Sequence, residues 1–105
     1  MVHLIFYVPL THAEKVKEAV FKAGAGRIGD YDQCSWEVQG QGQFRPLKGA
    51  SPYIGQINRL EKVEELKVEL VCQDDLLSSV IQALKSAHPY QTPAYFAFKA
   101  LDFAP

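Results

Sequence analysis

The sequence predicts an α+β protein, a ferredoxin-like βαββαβ sandwich in which one four-stranded antiparallel sheet carries two helices on one face. Three observations carry that expectation. Residues 2–8 alternate with the period of a strand. Two segments, beginning near Thr11 and Asp74, repeat apolar residues at helical spacing. Strand-like runs fall between and after them in the order that places two crossovers on one side of a single sheet.

Val2, Leu4, Phe6 and Val8 occupy one face of the first strand and His3, Ile5 and Tyr7 the other, so both faces are expected to be at least partly covered, and Pro9 ends the run. Thr11 followed by Glu14 has the form of a capping box and starts the first helix. Its inward stripe is Val16, Ala19, Val20 and Ala23, Glu18 and Lys22 are spaced to pair on its surface, and Gly24 stops it. A second strand is expected over Tyr31 to Gln39, with Cys34, Trp36 and Val38 alternating against Gln33, Ser35 and Glu37. The stretch QGQGQFRPLKGASPYIGQ, residues 39–56, follows, and its glycines and prolines read as a long loop.

The third strand spans Lys62 to Cys72, with Leu66, Val68, Leu70 and Cys72 opposed to Glu65, Lys67 and Glu69. Asp74 caps a second helix over 75–87 that turns Leu77, Val80, Ile81 and Leu84 inward. Pro89 biases His88 away from helical backbone, so this helix stops there. Pro93 opens the last strand, over 94–103. With strand order four, one, three, two, Thr11–His12, the 39–56 loop and His88-Pro89-Tyr90 meet at one end of the sheet. His3, Cys72 and the 24–29 turn meet at the other. Ile5, Tyr7, Tyr95, Leu101 and Phe103 are candidates for the face away from the helices, and so much apolar surface predicts burial in a homo-oligomer.

A chain of 105 residues holds one domain, 1–105, with one core. No apolar run reaches the roughly 18 residues of a membrane span, and the N-terminal run lacks a basic leader, so a cytoplasmic protein is expected. A net charge of −1 from well-mixed charges gives no footprint for nucleic acid. Cys34 and Cys72 lack the spacing of a zinc or redox motif and read as buried free thiols.

Four stretches are more specific: GDYDQCSW (29–36), GQGQFRPL (40–47), SPYIG (51–55) and HPYQTPA (88–94). Together they closely resemble the inserted domain of the Nif-three-like (YqfO-type) proteins over nearly the whole chain, which looks like a free-standing version of that insert. The HPYxxP turn is also similar to one in CutA, the divalent-cation-tolerance protein. The resemblance implies a PII/CutA-like fold that commonly forms trimers through the open sheet face. Two departures qualify it. The dinuclear metal site of the full-length family is built by flanking domains, so hydrolase activity does not transfer. The family turn usually carries glutamate after the tyrosine, where this chain has Gln91.

Candidate ligand-binding residues are Phe44, Arg45, Lys48, His88 and Tyr90. The loop's glycines admit close approach, Phe44 offers an apolar anchor, and Arg45 and Lys48 supply positive charge for a carboxylate or phosphate. The same loop also reads as rigid packing at a trimer seam. His88 and His12 are the candidate metal ligands, although a third ligand is not evident, and a structural His88 bonded to the neighbouring loop is the competing reading. With no nucleophile elbow or paired carboxylates, the chain reads as a non-enzyme without a fixed cofactor. The expected function is a non-catalytic homotrimeric module that binds a small anionic ligand or a partner protein. A divalent-metal-binding protein of the CutA kind is the alternative.

Overall fold

A computed structural model describes residues 1–101. Strands β1 (Val2–Pro9), β2 (Trp36–Phe44), β3 (Glu61–Cys72) and β4 (Tyr95–Lys99) form one sheet in the order β2-β3-β1-β4, with every pairing antiparallel. Helices α1 (Ala13–Lys22) and α2 (Leu77–Ala87) pack together on one face, completing the ferredoxin-like sandwich. The two-residue alternation of β1 sends Val2, Leu4, Phe6 and Val8 under the helices. There they meet Val16 and Val20 of α1, Val80 and Leu84 of α2, and Val68, Leu70 and Cys72 of β3. Burying each large aliphatic side chain contributes roughly 1.5–3 kcal/mol, so this layer is the main reason the sheet and helices stay together.

The second strand lies five residues later than the sequence suggests. Tyr31 closes a tight turn with Ile28 instead, and β2 runs through Gly40 and Gly42 to Phe44. Those glycines do not break it because β2 is an edge strand whose backbone is fully paired on its inner side to β3. The last turns of this hairpin, Gln41–Phe44 against Glu61–Glu64, extend beyond the end of β1 as a two-stranded ribbon. The loop proper therefore begins at Arg45.

Neither expected cap forms. Short 3-10 turns, Leu10–His12 and Asp74–Leu76, lead into the helices, and no side chain caps either turn or helix. The Thr11 hydroxyl is drawn to His12 Nδ1 at 2.9 Å, and the Asp74 carboxylate to the Met1 ammonium and Lys99. On α1 the surface ion pairs are Lys17 with Glu14 and Glu37, rather than Glu18 with Lys22. Cys72 is buried as expected, whereas Cys34 is half-exposed.

The helix-free face also differs in one strand. Pairing of Phe6 with Tyr95 turns Tyr95 toward the helices and puts Phe96 and Phe98 on the open side beside Ile5 and His3. Phe103 lies outside the described residues. At the end of the sheet away from His88, Gly26 donates to Val71 O at 2.7 Å and accepts from Cys34 N at 2.8 Å. Its φ of +82° and the Phe21 ring 2.9 Å from any added Cβ require glycine there.

Candidate functional site

Pro89 sets the geometry from which the site grows. His88 leaves the helix with ψ 137°, while its amide still bonds Leu84 O at 2.9 Å. Its ring consequently turns under the sheet's end and is buried. Nε2 lies 2.6 Å from the Tyr7 carbonyl, and Nδ1 lies 3.1 Å from the Tyr90 amide. A carbonyl only accepts and an amide N–H only donates, so these partners fix a neutral imidazole with its proton on Nε2. Burial holds its pKa below the ordinary value, opposed by the Tyr7 bond and the nearby Glu65 charge.

The backbone bond to His88 Nδ1 positions Tyr90, whose ring lies 5.0 Å from the His88 ring and 5.9 Å from Phe44 at the tip of β2. Its hydroxyl donates to Glu65 Oε2 at 2.9 Å. Burial, with this carboxylate, raises the phenol's pKa. Glu65 can reach it because Gly42 has no side chain: a Cβ there would stand 2.0 Å from Glu65 Oε1.

The 45–60 loop folds back over this group. Pro46 is buried, and its carbonyl accepts from Asn58 N at 2.6 Å. Ser51 N donates to Gln91 Oε1 at 3.0 Å. Tyr53 meets the His12 ring edge-on at 5.5 Å. Between the loop and the HPY turn lies an open cleft of about 350 Å³, walled by the rings of Tyr7, Phe44, Tyr53 and Tyr90, with Glu65 and Gln91 among its polar groups. A second hollow, about 300 Å³, shares Tyr7, Gly42 and Glu65 and continues along the open sheet face to Val38 and Lys67.

Of the candidate residues, Phe44 and Tyr90 line the cleft, His88 lies against the Tyr90 ring, and His12 touches the loop. Arg45 and Lys48 are exposed and line neither hollow. Alternation marks Glu65 as an outward charge, and only Gly42, diagonally across the ladder in β2, signals a seat for it. Both nitrogens of His88 are bonded to backbone groups, and no three His, Cys, Asp or Glu side chains converge on a metal-sized site among the described residues. The open sheet face displays Trp36, Val38, Phe96 and Phe98, each more than half exposed.

No protein-family model matches the chain. It is 50% identical over 94 residues to the GTP cyclohydrolase 1 type 2 homolog of Mycobacterium leprae, a match covering 90% of this chain and 24% of that protein. Against the crystal structure of a Bacillus cereus protein related to NIF3 it superposes with a TM-score of 0.80 at 38% identity, covering 92% of this chain and 24% of the other. CutA1 from Pyrococcus horikoshii gives 0.70 at 19% identity, covering 99% and 87%. The chain thus spans about a quarter of the length of the curated relatives it matches. The CutA likeness is one of fold.

Proposed function

We propose that this chain, a homologue of one segment of the NIF3-related proteins with a PII/CutA-like fold, is a non-catalytic, homo-oligomeric binding module. Its assembly is a trimer through the open sheet face, and its ligand site is the cleft between the 45–60 loop and the HPY turn. One observation carries the reading: the apolar face and the cleft are continuous, sharing Tyr7, Gly42 and Glu65. A copy covering Trp36, Val38, Phe96 and Phe98 would bury exposed apolar area and bring its own surface to the cleft's edge. The cyclohydrolase in the relatives' name belongs to chains four times as long and is not carried over. His88 supports a structural role over an acid–base or metal role, since both nitrogens hold backbone groups in place.

Native mass spectrometry of protein purified without chelator tests the assembly and the site together. The expected result is a trimer with a reproducible extra mass that is lost on denaturation. A monomer would overturn the assigned role of the open face, and a trimer that never acquires a small molecule would leave a partner-binding or structural role in its place.

A further inference from the structure

We infer that the cleft accepts an organic ammonium group carried on an apolar or aromatic body. This rests on the cleft being the binding site proposed above and specifies its ligand. Among the described residues, Glu65 is the only charged one in the lining. Its Oε2 is held by the Tyr90 hydroxyl, and its Oε1 has no hydrogen-bond partner among the described residues, leaving one oriented acceptor at the junction of the two hollows. Four aromatic residues, Tyr7, Phe44, Tyr53 and Tyr90, line the same cleft, and ring faces attract cations and disfavour anions.

Gly42 belongs to this arrangement. The carboxylate lies where a β-carbon would stand, so the glycine is what allows Oε1 to rest against the β2 backbone. Lys67 lies outside the cleft and borders the adjoining hollow with Glu65, and no ion pair joins the two among the described residues. Arg45 and Lys48, the residues that would suit a phosphate or carboxylate, lie outside both hollows. An anionic ligand entering the cleft would face a carboxylate with no compensating cation; an ammonium would gain a charge-assisted hydrogen bond and an aromatic enclosure.

Three probes of similar shape test this: phenethylammonium, phenethyl alcohol and phenylacetate, titrated into the intact protein and followed by amide NMR shifts. The ammonium is expected to shift Phe44, Tyr90 and Gln91 amides and to bind about tenfold more tightly than phenylacetate. Glu65→Gln keeps an acceptor for Tyr90 and should abolish the preference while leaving phenethyl alcohol unchanged. Gly42→Ala, which displaces the flexible end of Glu65, should weaken the ammonium in the same way. If phenylacetate binds as well as the ammonium, or the preference survives Glu65→Gln, the cation inference falls while the cleft stands. If none of the three binds there, both the inference and the assignment of the cleft as a ligand site fall.

Discussion

Helix α2 is fastened to the sheet at both ends, by opposite chemistries. At its C-terminal end, His88 is buried, neutral and bonded through both nitrogens to the backbone of β1 and of the HPY turn. At its N-terminal end, the Asp74 carboxylate sits in solvent and takes Lys99 and the Met1 ammonium, the latter at 2.6 Å. Both arrangements join residues far apart in sequence, His88 to Tyr7 in one and Asp74 to Met1 and Lys99 in the other. Their energetics differ, because a buried polar atom that loses its partner pays full desolvation, whereas exposed ions fall back on water. The cleft was built at the end where loss of a partner cannot be repaired by solvent.

The largest effect should come from His88→Ala. It strands the Tyr7 carbonyl and the Tyr90 amide and opens a void beneath the Tyr90 ring, which should cost about 2–4 kcal/mol. A melt should show a fall in Tm of roughly 10 °C or more for a domain of this size. A loss no greater than that of an ordinary surface substitution would mean that water replaces the imidazole and that the contrast between the two ends is false.

Acid should act next, and selectively. Burial depresses the pKa of His88 in the folded state below its ordinary 6.5. The unfolded chain therefore takes up the proton first as pH falls. Stability from this group is fully present above about 6.5 and is lost progressively as pH drops toward and through the lowered folded value. Denaturant titrations between pH 7.5 and 5 should show a declining midpoint that flattens in His88→Gln. An unchanged slope in that variant would assign the decline to other groups.

The same contrast explains what could be read from the sequence. Element order follows from patterns enforced by burial, namely alternation in residues 2–8, the apolar stripe of α2 and the proline that expels His88 from the helix, while sheet order and the meeting of distant loops come with the usual strand order of the fold those elements imply. Where burial does not discriminate, the amino-acid pattern is ambiguous. Residues 94–98 are apolar on both faces, so only the pairing of Phe6 with Tyr95 decides which side is open. The glycines at 40 and 42 look like strand breakers, yet both pair with β3, and at Gly42 the side chain of Glu65 occupies the space a β-carbon would take. Thr11 and Asp74 had the right types for caps, but each had a competing partner supplied by tertiary structure: His12 for one, Lys99 and Met1 for the other. In the candidate site, the aromatic and histidine residues are legible from the HPY turn and Phe44. Glu65 is not, because a carboxylate on an alternating strand looks like any solvated charge until the fold shows what faces it.

Asp74→Asn should give the smallest effect, and it sharpens the comparison most. The bond to Lys99, then that to the Met1 ammonium, lowers the Asp74 pKa from 3.8 to about 2. Stability from this carboxylate is present above its unfolded value of 3.8 and is lost as pH falls from there through about 2. That window lies well below the one in which His88 begins to act, so acid should release the two ends of α2 in sequence, the histidine end first. At neutral pH the Asn variant should melt close to the parent, and any difference should vanish in about 1 M salt, where exposed charges are screened within a few ångströms. The shift caused by His88→Ala should persist in the same salt, because its lost partners are buried dipoles. If Asp74→Asn instead destabilised the protein as much as His88→Ala and resisted salt, solvent exposure would not be what separates the two ends, and the ion cluster would have to be counted as part of the frame that holds the cleft.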